Sequence, residues 1–410
     1  MKRFFSLILG EGFRVFFLGA VFFALFSLSL WLAAYFGGLD ITPERISPSD
    51  WHAHELVFGY GGAVLAGFFL TAVPNWTGAK AARHFYIGAA ALIWLLARVA
   101  ILYIDNLPLT GVAVVELLFA PFLGAKIATQ LVRKPKPQNL VFLIFLTFFW
   151  VGDCLVLLDW GGHPAGRAGI GLRVGLLSLA AMILVLGGRV TPAFTRNAMH
   201  RAGIEVAELA DPAVFTPVAL VLAIALPVVQ LLFPDTLLSG IITLIVGLFA
   251  LIRVAKWQNR FQWSRPILWT LHLSYGTVGV GLVLWGLAMV GFGSEVAGLH
   301  FLAVGGVGGM TVSVMSRASL GHSGRPLVAP SAMVIAYVLL PVAALMRWLG
   351  GMNVWGLYTP LVFLSGLIWC FAFVLVSGVF WPILTHPRAP RSSDTSPQHS
   401  TAPYGTVLRS

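Results

Sequence analysis

The stretch "WHAHELVFGYGGAVLAGFFLTAVPNWTG", Trp51 to Gly78, has the length and apolarity of a membrane-crossing helix, yet it opens with His52, His54 and Glu55. About 20 mostly apolar residues span the hydrocarbon core of a bilayer. A second stretch, "LHFLAVGGVGGMTVSVMSRASLGHSG" from Leu299 to Gly324, lies over the first without a gap. His54 falls on His300, Gly59 on Gly305, Gly62 on Gly308 and Gly78 on Gly324, at a constant offset of 246, the difference between 300 and 54. Two far-separated parts of the chain therefore read as versions of one helix.

The rest of the chain has the same character. Charged residues make up 10% and apolar residues 58%, whereas a soluble domain carries about 25% charged residues. An all-α, polytopic membrane helix bundle is expected. Apolar runs give about twelve spans: Phe13–Gly37, His52–Val73, Phe85–Ile104, Leu109–Leu131, Asn139–Trp160, Gly171–Val190, Val214–Phe233, Thr236–Lys256, Ile267–Val290, Val296–Leu320, Val334–Trp348 and Leu357–Leu384. They form one membrane domain over residues 1–386, and the Pro/Ser/Thr-rich residues 387–410 read as a disordered cytoplasmic tail. The first span follows Lys2 and Arg3 without a small-residue cleavage site, so it reads as a retained helix. Cys154 and Cys370 lie inside apolar spans and support no disulfide framework.

The net charge of +11 does not call for nucleic acid in such a chain, because Lys and Arg gather in cytoplasmic loops. One set of span ends holds Lys2, Arg3, Lys80, Arg83, Arg133, Lys134, Lys136, Arg196, Arg201, Arg253, Lys256, Arg260, Arg265, Arg325 and Arg388. The other holds Asp40, Glu44, Asp50, Asp105, Asp159, Asp235 and Glu295, with Arg45, Arg167 and, near a helix end, Arg347. Both termini are expected on the cytoplasmic side.

The ends of spans 2, 6 and 10 read "LTAVPNWTG", "GRVTPAFTR" and "SRASLGHSG". Aligned without gaps, Thr71, Arg189 and Arg317 coincide, as do Trp76, Phe194 and His322. Each step covers four spans, so three pseudo-repeats of four helices are expected.

Spans 2 and 10 run in the same direction, which puts His54 and His300 at one depth near the outer face. Successive helix residues turn by about 100°, so His52 and His54 point to nearly opposite sides; the repeat selects His54 as the inward one. His272 and His322 lie near the other face, and the 22 residues from His300 to His322 measure about 33 Å. Any metals bound by the two groups would occupy two sites. Imidazole suits haem iron, copper and zinc, and two parallel helices with histidines at one depth can clamp a flat haem. Gly59, Gly62, Gly305, Gly306, Gly308 and Gly309 either make room for that group or allow close helix packing.

Glu55, Arg98, Glu116, Asp153 and Arg173 share the outer depth. Arg98 or Arg173 suits a haem propionate, or Arg98 pairs with Glu116 or Asp153. Glu55 suits an acceptor that orients a histidine. At the inner face, His272 and His322 suit copper or a second haem, with Arg189, Arg317, Arg325, Asn75 and Tyr275 nearby.

The segments "WHAHELVFGYGGAVLAGFFLTAVPNWTG", "GGRVTPAFTRN", "LHLSYG" and "VGGVGGMTVSVMSRASLGHSGR" resemble the NnrS family of bacterial inner-membrane proteins over nearly all of the spanning region. The resemblance implies a haem- and copper-containing protein of nitric oxide metabolism and nitrosative-stress relief. It implies His52, His54, His272, His300 and His322 as candidate ligands, with Asn75, Arg189, Arg317 and Arg325 as polar support. A more distant similarity is to haem–copper oxidase catalytic subunits, whose twelve helices form three arcs and carry haem ligands on helices 2 and 10. That family's copper ligands lie on helices 6 and 7, and spans 6 and 7 here hold no histidine. The expectation is therefore a haem-binding protein using His54 and His300, with nitric oxide as its small-molecule ligand, the bilayer as its surroundings and the electron donor unassigned. The alternatives are a secondary transporter and an NO or O2 reductase.

Overall fold

The computed structural model describes residues 2–39, 42–204 and 211–390. Asp40 and residues 391–410, most of the expected tail, lie outside the described residues. Among the described residues, twelve helices are long and apolar enough to cross a membrane. In chain order they are α1 (Gly12–Gly37), α2 (Pro48–Thr77), α3 (Phe85–Leu102), α4 (Leu109–Leu131), α5 (Pro137–Trp160), α6 (Ala168–Arg201), α7 (Phe215–Leu232), α8 (Leu237–Lys256), α9 (Pro266–Met289), α10 (Glu295–His322), α11 (Ser331–Gly351) and α12 (Tyr358–Thr385). No strand occurs among the described residues. This is a multi-pass membrane protein of all-α architecture.

Several helices outrun the apolar stretches that mark them. The span expected at Gly171–Val190 belongs to α6, which continues to Arg201. Hydropathy marks only the part of a helix suited to hydrocarbon, whereas backbone bonding continues until a cap stops it. At the start of α2, the Ser47 hydroxyl accepts from the Asp50 N–H at 3.0 Å, with Pro48 in the first turn. At its end Gly78 takes φ +70°, and its N–H reaches the Pro74 carbonyl at 2.8 Å. Gly324, the glycine aligned with it in the repeat, follows α10 at φ +72°. Both positions use the left-handed conformation that glycine adopts without strain.

Helices α2, α6 and α10 touch one another at the centre, and each packs on the helix before it: α1 on α2, α5 on α6, α9 on α10. This is the arrangement expected of three four-helix units. Side chains at the aligned positions repeat it. The Arg189 guanidinium lies over the Trp76 ring at 5.8 Å, and that of Arg317 lies over the Phe194 ring at 4.0 Å. Each arginine thus covers the aromatic ring of the preceding unit.

The match between α2 and α10 extends to the backbone. Both helices switch to π geometry, over Glu55–Tyr60 and over Phe301–Gly308. Glu55 and Phe301 are again 246 residues apart. In α2 the Gly61 N–H reaches back five residues to the Leu56 carbonyl, and the Gly59 carbonyl accepts from the Trp94 indole at 2.9 Å. Such π segments are uncommon and gather at functional sites. The central α6 has none.

Glycines set the helix crossings. A Cβ on Gly281 would lie 2.6 Å from the Leu302 Cα, and one on Gly152 would lie 2.6 Å from the Gly171 carbonyl oxygen. The α10 glycines are filled likewise: Gly305 by Thr277 and Ala344, Gly306 by Val278, Gly308 by Trp369. Of the two roles open to them in the sequence, these contacts are those of close packing.

Gly281→Ala is expected to lower the thermal unfolding midpoint in detergent, through an overpacking cost of about 1–3 kcal/mol. Gly378, on exposed α12 surface with nothing within 4 Å of an added Cβ, should accept alanine with no loss or a small gain.

Candidate functional site

A cavity of about 400 Å³ opens between α2 and α10, beside their π segments. From α2 it is lined by His52, Leu56, Val57 and Tyr60, and from α10 by Leu299, His300, Ala303 and Val307. Arg173 of α6, Arg347 of α11, Trp31 of α1 and Trp369 of α12 complete the polar and aromatic wall. Its size suits a small-molecule or cofactor site.

The polar atoms of this wall are incompletely partnered. His300 Nδ1 donates to the Val296 carbonyl at 2.7 Å, which leaves the Nε2 lone pair to accept from Arg347 Nη2 at 3.3 Å. His52 stacks on Trp31 with ring centres 4.5 Å apart. His52 Nδ1, Trp31 Nε1, Arg173 Nε, Arg347 Nη1 and Trp369 Nε1 have no protein partner. Each buried polar group left in that state costs about 1–3 kcal/mol. Arg173 Nη1 is held by Asp235 at 2.6 Å, with Glu295 3.7 Å away. The wall therefore offers two imidazoles, two guanidiniums and two indoles on an apolar frame.

His54 is elsewhere. It points away from this cavity into a buried ionic cluster built by α2, α3, α4 and α5. Its Nδ1 lies 2.9 Å from Glu55 Oε1 and its Nε2 3.0 Å from Asp153 Oδ1. Arg98 Nη1 donates to Glu55 Oε1 at 2.6 Å, and Nη2 donates to Glu116 Oε1. All five side chains are buried. Phe58 and Trp160 close over the imidazole, 5.2 and 4.9 Å between ring centres. Gly59 leaves the room that Arg98 occupies; a Cβ there would sit 2.9 Å from Arg98 Nη1.

These positions correct two readings of the sequence. The pair facing one cavity is His52 and His300, not His54 and His300. The separation of His52 and His54 to opposite sides of the helix holds, but the repeat match picks the wrong member. A gap-free alignment compares residue types along a helix and carries no information about which face meets which neighbour. Arg98 likewise does not serve the cavity, because Glu55 and Glu116 hold it. Arg173 does line the cavity, and Glu55 does accept from a histidine, that of the ionic cluster. The missed residue is Arg347. Its signal was present: an arginine inside the last turn of an apolar span is expensive and seldom without a partner or role.

The other face disperses its candidates. His272 Nε2 bonds Thr195 Oγ1 at 3.0 Å, with Trp257 edge-on to its ring, while His322 packs on Phe13 of α1. Asn75 donates to the Thr71 carbonyl, Arg189 to Asn139 Oδ1, and Arg325 to the Ile383 carbonyl. Arg317 stacks on Phe194. The stronger cluster here centres on Arg253, which reaches Asp211 at 2.6 and 2.9 Å and the Tyr275 hydroxyl at 2.9 Å. Asp211 also accepts from the Trp257 indole. Among the described residues, the single group of three or more potential metal-ligating side chains is His54, Glu116 and Asp153.

Fold and site together define a polytopic helical membrane protein with a histidine- and arginine-lined cavity between two π-interrupted helices. The sequence matches the family described as "NnrS protein" over residues 7–388. The chain belongs to the NnrS family. No curated protein matches it.

Arg98→Leu removes the guanidinium from two buried carboxylates, Glu55 and Glu116, and is expected to cost about 3–5 kcal/mol. Adding Glu116→Leu should recover part of that loss. Thermal unfolding of the two single variants and the double variant measures the coupling.

Proposed function

We propose that this protein binds haem in the α2–α10 cavity and acts in nitric oxide metabolism or nitrosative-stress relief in the bacterial inner membrane. The observation that carries this reading is the placement of His52 and His300, on two helices with matched π segments, in the wall of one cavity with two arginines. Membership of the NnrS family supports the link to nitric oxide.

The residues fit the group. His300 commits Nδ1–H to Val296 and so keeps its lone pair on Nε2, the usual way a protein fixes the ligating tautomer; Arg347, which donates to that atom at 3.3 Å, would turn to a porphyrin carboxylate when iron takes its place. His52 brings a second imidazole with an unpartnered Nδ1. Arg347 and Arg173 suit the carboxylates of a porphyrin, which a guanidinium can grip with two parallel bonds. Arg173 in turn is positioned by Asp235. Trp31, Trp369 and the aliphatic wall exclude water and present flat apolar surface. Bound there, haem iron supplies a centre able to ligate nitric oxide or exchange an electron, tuned by its ligands and burial.

Nitric oxide is small and apolar enough to arrive through the bilayer. The Lys/Arg bias of the loops supports an orientation with the cavity near the periplasmic face and both termini in the cytoplasm. Copper at His272 and His322 has weaker support: each has separate neighbours, and two imidazoles leave a metal incompletely ligated.

Purified protein is expected to show a Soret band. His300→Ala and His52→Ala should each lower haem per polypeptide several-fold, and Arg347→Ala should weaken retention during dilution. A Soret band that persists unchanged in both histidine variants would remove the cavity from the assignment.

A further inference from the structure

We propose that His54, Asp153 and Glu116 form a separate site for one divalent cation of the kind taken by mixed imidazole and carboxylate donors, with Zn2+ as the probe. One ligand atom from each of these residues lies within 4.8 Å of the other two. They come from three helices, α2, α5 and α4, at a buried position on the opposite side of α2 from the cavity. The inference stands independently of haem.

Charge is the first reason. Glu55, Glu116 and Asp153 are three buried carboxylates, and Arg98 is the one guanidinium among them. With a neutral imidazole the cluster carries two negative charges in excess, in a region where unpaired charge is costly. A divalent ion cancels that excess.

Hydrogen-bond polarity is the second. Glu55 Oε1 is anchored by Arg98 and lies 2.9 Å from His54 Nδ1, so Nδ1–H donates to it. In the neutral imidazole this places the lone pair on Nε2, which then faces Asp153 Oδ1 at 3.0 Å. Two lone pairs at that separation need a positive species against both. Donors about 2.0–2.2 Å from a shared tetrahedral ion sit roughly 3.3 Å apart, close to the observed spacing. The Glu55–His54 pair has the form of the carboxylate–histidine support that orients metal-bound imidazoles.

The third reason is an orphaned donor atom. Glu116 gives Oε1 to Arg98, while its Oε2 is buried with no partner. A modest rotation of this carboxylate completes a one-nitrogen, two-oxygen set. That set suits Zn2+ or Mn2+ better than a soft monovalent ion. Arg98 remains outside the ligand sphere and neutralises Glu55.

The test is metal content of tag-free, full-length protein in detergent, stripped with a chelator and then equilibrated with Zn2+. One equivalent is expected in wild type and in His300→Ala, the second chain excluding zinc held in the cavity. Glu116→Gln and Asp153→Asn should bind at least tenfold more weakly. Zinc should raise the thermal midpoint of wild type and not that of Glu116→Gln, a chain close in shape that is checked for folding by its own cooperative melt. Glu116→Gln should also keep its Soret band, which separates this site from the haem assignment. If wild type takes up no zinc, or Glu116→Gln takes up as much, the positive species in the cluster is a proton and the proposal fails.

Discussion

The structure depends on one helix carrying polar groups on two opposite faces inside a membrane. His52 and His54 are two residues apart, which at 3.6 residues per turn separates them by about 200°. Neither face can be left to lipid, so α2 has to be surrounded, and it is the most buried of the twelve helices. His54 and Glu55 are met on one side by Arg98, Glu116 and Asp153. His52 is met on the other by Trp31, with Arg347, Arg173 and His300 along the same cavity wall. The central position of α2 stems from this double demand as much as from its glycines.

The π segments give the second constraint. A π turn adds a residue to the helix circuit and rotates everything beyond it relative to a regular helix. In α2 and α10 it starts directly after His54 and His300. The histidine ends and the glycine-rich ends of these helices are thus set at angles that a straight helix would not give. That lets Gly281 and Gly306 make tight α9–α10 contacts while Leu56, Val57, Ala303 and Val307 turn toward the cavity. One departure from regularity, used twice, puts packed glycines and cavity-lining residues side by side in the same segment of each helix.

Most of the fold was legible because the bilayer imposes it. Twelve apolar runs, the α2–α10 match and the aligned arginines all reappear as helices, paired π segments and the Arg189–Trp76 and Arg317–Phe194 stacks. The site was legible in depth but not in azimuth. His52, Arg173 and His300 were placed at the right level, yet the choice of His54 over His52 depended on which neighbour each side of α2 meets. That is decided by the packing of α3, α4 and α5, which no periodicity within α2 reveals. Arg347 was hidden for a related reason: a charge near a span end reads as a loop charge until α11 is seen to bring it to His300. Arg253, in the last turn of its span, carried the same signal as Arg347, but nothing in the sequence pointed to its partner Asp211, 42 positions away.

The third central helix gives the cavity a distinct wall: where α6 reaches it, it brings Leu172, Leu176, Leu179 and Arg173. An aliphatic and cationic wall of this kind offers no metal ligand of its own, whereas it can hold an anionic edge and keep water out. If the proposed haem is held by both His52 and His300, which line one cavity, a small ligand would have to compete with an imidazole. Under that proposal the chemistry at the centre would be ligand exchange or electron transfer, set by how readily an imidazole leaves.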